Sequence, residues 1–126
     1  MMKIIVTATS DKIDQPFSPR FGRADYFILV DSETREWEAF TNPAVNARGG
    51  AGPQAVQFIA DKGAEVVISG RYGPSAFAAL EAASLQAYVA QQGTVSELVD
   101  QFLSGELEKT DSATGSELHG RGRPKI

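Results

Sequence analysis

Residues 65–80, Glu65-Val66-Val67-Ile68-Ser69-Gly70-Arg71-Tyr72-Gly73-Pro74-Ser75-Ala76-Phe77-Ala78-Ala79-Leu80, change character at their middle. Glu65–Ile68 is a short, apolar, β-branched run of the kind that forms a buried strand. Ser69–Gly73 is turn chemistry, and Pro74 suits the first position of a helix whose Phe77, Ala78 and Leu80 fall at helical spacing. A strand that passes into a helix in this way predicts an α/β domain. The same punctuation occurs upstream, where Arg48-Gly49-Gly50-Ala51-Gly52 leads to Pro53. Pro53 is expected to open a helix that runs to about Lys62, with Val56, Phe58, Ile59 and Ala60 toward the core and Gly63 as its stop.

Working outward, Leu85–Val89 reads as a strand. Thr94-Val95-Ser96-Glu97 has the spacing of a capping box for a helix carrying Leu98, Phe102 and Leu103 and closed by Gly105. Toward the N-terminus, Lys3–Thr9 is the first strand. Tyr26–Val30 and Glu36–Phe40 form an antiparallel hairpin around Asp31-Ser32-Glu33-Thr34, which Asn42-Pro43 ends. Between the first two strands, Ser10–Ala24 carries Pro16, Pro19 and Gly22; it is too long for a tight turn, and loops of that length usually carry function. The expected element order is βββαβαβα.

The chain has 126 residues, 42% hydrophobic and 22% charged, which suits one globular core. Its net charge of -4 gives the body as a whole no attraction to nucleic acid or anionic lipid, so any anion site must be local. The absence of cysteine excludes a disulfide framework, a thiolate-held zinc site, a cysteine nucleophile and an all-cysteine iron–sulfur site within one chain. His119 is the one imidazole. No apolar run approaches the roughly 18 residues that suggest a membrane span, and no signal peptide is read at the start, so a cytoplasmic protein is expected. No aromatic residue follows Glu108, which divides the chain into a folded domain over residues 1–108 and a tail, 109–126, expected to be disordered and basic at its end.

Three motifs occur together in this order: Pro19-Arg20-Phe21-Gly22-Arg23-Ala24 before the second strand, Gly49-Gly50-Ala51-Gly52 before the first helix, and Gly70-Arg71-Tyr72-Gly73-Pro74 before the second. With the ending Phe102-Leu103-Ser104-Gly105-Glu106-Leu107 they make residues 2–107 resemble the dinitrogenase iron–molybdenum cofactor biosynthesis family. The resemblance implies a single three-layer α/β domain with a ribonuclease H-like motif and a mixed five-stranded sheet of strand order 3-2-1-4-5. It implies a non-enzymatic carrier or store for an anionic iron–sulfur or iron–molybdenum cofactor precursor, with metallocluster assembly proteins as partners and nitrogen fixation as the setting. In some members a histidine follows the Asn-Pro pair as a cluster ligand; here that stretch is Ala44-Val45-Asn46-Ala47-Arg48, so a direct metal-ligand role does not transfer.

In the implied topology the loops leaving strands one, three, four and five share one edge, and they hold Arg20, Arg23, Arg48 and Arg71, whereas Arg35 sits in the hairpin turn. Arginine forks suit phosphate, carboxylate or a sulfide-rich anion. Two helix N-termini, at Pro53 and Pro74, add amide donors and positive dipole ends. The cofactor-binding set assigned on this basis is Arg20, Phe21, Gly22, Arg23, Asn42, Asn46, Arg48, Gly49, Gly50, Gly52, Arg71 and Gly73, with no catalytic residue and no structural metal. The opposing reading makes the glycines and prolines turn and helix devices and leaves the arginines solvated or paired with neighbours such as Asp11 and Asp25. Phe21 has two readings as well: it packs the long loop onto the body, or it walls the pocket.

A nuclease would need carboxylates gathered around two divalent ions, typically one on the first strand, where Thr7 and Thr9 stand instead. Gly49–Gly52 lacks the Lys-Ser/Thr of a phosphate-binding loop and the full dinucleotide fingerprint. The tail supplies a reading of another class. Gly120-Arg121-Gly122-Arg123-Pro124-Lys125 resembles the core of an AT-hook, in which Arg121, Gly122 and Arg123 would enter the minor groove of A·T-rich DNA; the alternative is a solvated basic terminus.

Overall fold

A computed structural model of the chain describes residues 2–45 and 50–110. Six strands and three helices follow in the order β1 Lys3–Ala8, β2 Tyr26–Asp31, β3 Trp37–Thr41, α1 Ala51–Asp61, β4 Val66–Ser69, α2 Pro74–Ala82, β5 Gln86–Val89, α3 Val95–Leu103 and β6 Glu108–Thr110. They build one mixed sheet of order β3-β2-β1-β4-β5-β6. The strand β1 runs antiparallel to β2 and parallel to β4; β5 is parallel to β4, and β2 pairs antiparallel with β3. The expected order 3-2-1-4-5 is therefore present, and β1, β3, β4 and β5 end at a common edge.

The expected count of five strands is corrected by β6, which pairs Glu108 with Val89 and Thr110 with Ala87. This strand is short, polar and mostly exposed. Neither alternation nor an apolar run marks it, because main-chain hydrogen bonding to β5 suffices to hold an edge strand. It carries Lys109 and Thr110 into the sheet, past the boundary expected at residue 108; residues 111–126, with Arg121, Gly122 and Arg123, lie outside the described residues.

Alternation in the central strands builds the three layers. From β1 and β4, Ile5 and Val67 face α1 and α2 together with Phe27, Ala55, Ile59 and Leu80. Their neighbours Ile4, Val6, Val66 and Ile68 face the other way and are covered by Val95, Leu98 and Val99 of α3. The two helices on the first face approach closely at their starts. A Cβ on Gly52 would lie 2.7 Å from the Ala76 Cβ and 3.0 Å from its Cα. Gly52→Ala is expected to destabilise the domain, since overpacking costs about 1–3 kcal/mol and exceeds the roughly 1 kcal/mol of helix propensity that alanine contributes. Urea denaturation should show a lower midpoint at unchanged slope; an equal or higher midpoint would show that the helices separate without cost.

Helix starts follow the sequence with one shift. Pro74 is the first residue of α2 and Thr94 caps α3, accepting from the Glu97 amide while the Glu97 carboxylate accepts from the Thr94 amide. The first helix starts at Ala51, two residues before the expected Pro53, on an N-cap at Gly50 with φ 71°. Proline is tolerated anywhere in a first turn, whose amides have no partner within the helix, so its position did not mark the start.

Candidate functional site

The long loop between β1 and β2 is fastened along its length to the common carboxyl edge. Main-chain amides of Val95 and Ser96, at the start of α3, donate to the carbonyls of Gln15 and Ile13 at 3.1 and 2.8 Å. Phe17 donates to the Gly93 carbonyl at 3.0 Å, Ser18 to that of Thr7 at 2.9 Å, and Phe21 to that of Arg71 at 3.1 Å. The hydroxyl of Thr9 also donates to the Pro16 carbonyl at 2.8 Å. Proline at 16 and 19 limits the chain's conformations and leaves carbonyls free to accept, which suits a strap across strand ends.

That strap brings Arg20 beside Arg71. The two residues form an isolated parallel bridge, an arrangement in which neighbours project to the same side, and both are exposed. Gly70 makes the approach feasible, because a Cβ there would lie 2.8 Å from the Pro19 carbonyl oxygen. The ion pairs found among the described residues are Lys12–Asp11 and Arg35–Asp100. Arg20 and Arg71 are therefore not neutralised by Asp11 or Asp25. Arg23 donates from Nη1 to the Val45 carbonyl at 3.2 Å, which holds it against the loop leaving β3. Arg48, Asn46 and Gly49 lie outside the described residues. Arg35, by contrast, is bound to Asp100 on α3.

The starts of α1 and α2 adjoin this pair. Gly52 abuts Ala76, and a Cβ on Gly22 would stand 3.5 Å from the Gly52 nitrogen, in ordinary contact. Neither Gly50 nor Gly73 supplies a side-chain cap, and neither first turn holds an acidic residue. The α3 start is different: the capping box and the Ile13 and Gln15 carbonyls occupy its donors, and Glu97 adds negative charge. Among the described residues no side-chain cap or first-turn acid covers the positive poles of α1 and α2, whereas that of α3 is covered. At Gly73 a Cβ would meet nothing within 4 Å and the backbone is extended, so packing within the chain does not demand glycine there.

Several residues assigned to binding are instead committed to the fold. Phe21 is 1% exposed, with its ring centroid 5.7 Å from those of both Phe27 and Tyr72, so it packs the loop onto the core rather than walling a pocket. Asn42 is equally buried; its amide nitrogen donates to the Gly22 and Ala24 carbonyls at 3.2 and 2.9 Å, and its Oδ1 accepts from the Ala44 amide at 2.8 Å. This side chain ties the loop after β3 to the loop after β1. Gly52 serves the close packing described above, whereas a Cβ on Gly22 would make only ordinary contact, so packing does not demand glycine there. Tyr72 anchors the second arginine loop from below: its hydroxyl donates to the Tyr88 carbonyl at 2.6 Å and lies 3.2 Å from that of Val67. Burial pushes the Tyr72 phenol above its ordinary range, so it remains a neutral donor.

Thr7 and Ser69, which no motif singled out, are fully buried here. The Thr7 hydroxyl donates to the Ser18 carbonyl at 2.6 Å and lies 2.8 Å from the Ser69 hydroxyl. Their signal in the sequence is a hydroxyl-bearing residue late in each of two otherwise aliphatic strands.

Among the described residues no group of three or more His, Cys, Asp or Glu is placed to hold a metal ion, and no helix is long and apolar enough to cross a membrane. The donors at the common edge are guanidinium and backbone N–H groups. Among the described residues, these groups can hold an anion by charge and hydrogen bonds.

Comparison with known proteins agrees with this architecture. The chain is similar to the apo form of the orange protein from Desulfovibrio gigas, with 36% identity, a TM-score of 0.88 and coverage of 91% of this chain and 98% of that one. A putative NifB protein from Thermotoga is similar at 34% identity and a TM-score of 0.82, over 93% of this chain and all of the other. An uncharacterised protein of Methanocaldococcus jannaschii is 30% identical over 112 residues, 86% of this chain and 92% of the relative. A putative dinitrogenase from the same organism, at 18% identity and a TM-score of 0.66, shares the fold. The model of the dinitrogenase iron–molybdenum cofactor family matches residues 2–105, and with these likenesses it establishes that the chain belongs to that family.

Proposed function

We propose that this protein is a non-enzymatic carrier that binds an anionic iron–sulfur or iron–molybdenum cofactor precursor, or a related small anion, at the arginine edge. One observation carries the reading. Arg20 and Arg71 stand side by side and exposed, without a carboxylate partner among the described residues, next to two helix starts that lack side-chain caps. Like charges placed together repel, and an anion bound between them offsets that repulsion through its attraction to both. An open edge also suits a carrier, because cargo held by charge and hydrogen bonds can leave without breaking a protein–metal bond. Family membership supports cofactor chemistry as the setting; the proposal takes metallocluster assembly proteins as donor and acceptor partners and the cytoplasm as the compartment.

Anaerobic calorimetric titration with tetrathiomolybdate, molybdate and sulfate tests this. Saturable binding at one anion per chain, weakening as salt is raised, is expected for at least one of the three. Absence of saturable binding by all three at low salt would return the glycine and proline motifs to purely structural roles.

A further inference from the structure

We infer that the buried hydroxyls of Thr7 and Ser69 are positioning groups that hold the two arginine-bearing segments in register; the part of this inference that concerns binding rests on the proposed anion site. Ser18 precedes Arg20 by two residues, and Ser69 precedes Arg71 by two. Between them, late in β1, Thr7 grips both segments. Its carbonyl accepts from the Ser18 amide at 2.9 Å, and its hydroxyl reaches the Ser18 carbonyl at 2.6 Å and the Ser69 hydroxyl at 2.8 Å. The Ser69 hydroxyl lies 3.4 Å from the same Ser18 carbonyl.

Each hydroxyl has one proton to donate. With the Thr7 proton on the nearer Ser18 carbonyl, the Ser69 proton completes the group by pointing at the Thr7 oxygen. The result is a closed chain in which every buried polar atom has a partner. No buried side-chain nitrogen or oxygen among the described residues lacks one.

Side-chain packing does not require hydroxyls here. Ile5, Phe27 and Val67 surround this face of the sheet, and valine has the shape of threonine. A valine and an alanine would leave the Ser18 carbonyl without its side-chain donor while the main-chain bond from Ser18 to Thr7 remained. Two residues further along, the segments meet at the Arg20–Arg71 bridge and the bond from the Phe21 amide to the Arg71 carbonyl. Gly70 allows the contact but cannot direct it, having no side chain to bond. The hydroxyl pair directs it from below.

The test uses the full chain with Thr7→Val plus Ser69→Ala, the single change Ser69→Ala as a milder variant, and Thr7→Ser, which keeps the hydroxyl. Two quantities are read: amide hydrogen exchange at Phe21 relative to the central amides of β1 and β4, and affinity for whichever of tetrathiomolybdate, molybdate or sulfate the parent binds. In the double variant, Phe21 exchange is expected to rise about tenfold while β1 and β4 keep their protection, and affinity to fall about tenfold, on the scale of one lost hydrogen bond. Thr7→Ser should restore both. If the double variant unfolds, Ser69→Ala is expected to show the same changes at smaller amplitude. Unchanged Phe21 exchange in the variants that fold overturns the inference, as does unchanged affinity. If the parent binds none of the three anions but Phe21 exchange rises as expected, the binding proposal fails and the positioning role stands.

Discussion

Replacing Arg20 and Arg71 together by glutamine is expected to abolish the stabilisation that an oxyanion confers while leaving the ligand-free protein as stable as the parent. An anion present at a hundredfold its dissociation constant stabilises the native state by about 2.7 kcal/mol. For a domain of this size that corresponds to a melting shift on the order of 10 °C, which the double variant should lose. Little stability is at stake without ligand, because both arginines are exposed, neither is paired among the described residues, and their mutual repulsion is removed. The control is Arg35→Gln. That arginine sits at the opposite end of the sheet, in the hairpin turn, and its partner Asp100 lies on α3. Its replacement costs at most about 1 kcal/mol as an exposed ion pair and should leave binding intact. Equal loss of binding in the Arg35 variant would mean that the anion senses diffuse charge and not a built site. Arg71→Lys is expected to bind more weakly than the parent despite its preserved charge, because a lysine ammonium cannot present two parallel donors.

Phe21→Ala has the largest expected effect on stability. Truncating a buried phenylalanine costs about 3–5 kcal/mol, a large share of the roughly 5–15 kcal/mol available to a domain. Here the ring lies between Phe27 and Tyr72 and joins the long loop to the α1–α2 side of the core. Chemical denaturation should show a correspondingly lower midpoint. Phe21→Leu, which removes less volume, should lose less stability and keep its affinity for anions. Were Phe21 a pocket wall, the alanine variant would melt like the parent and bind poorly. That pairing of results is the one the core packing forbids.

Much of the fold was legible from local patterns. The aliphatic runs of β1, β2 and β4, the proline at the start of α2 and the Thr94–Glu97 capping box are short-range signals, because hydrophobic alternation, proline geometry and caps act over a few residues. The expected strand order came from family resemblance, and the sheet has it, extended by β6. That strand left no trace because its three polar residues are held through backbone bonding, which is nearly independent of side-chain identity. The start of α1 was misplaced because proline suits every position of a first turn.

At the candidate site the division is sharper. Residue type determined which chemistries were available: with no cysteine and four arginines in loops that the family resemblance implies share an edge, anion recognition was open and thiolate ligation was not. Local sequence could not tell a binding residue from a fastening one. Phe21, Asn42 and Gly52 sit in the same motifs as Arg20 and Arg71, yet Phe21 and Asn42 are buried and Gly52 is pressed against Ala76. Thr7 and Ser69 lie 62 positions apart, so only the parallel pairing of β1 with β4 brings their hydroxyls to 2.8 Å. Composition thus determined the chemistry on offer, because charge and donor type belong to each residue by itself. Burial and neighbours that are distant in sequence belong to the folded chain, and only the tertiary structure decided which of those groups face solvent and which hold the loops in place.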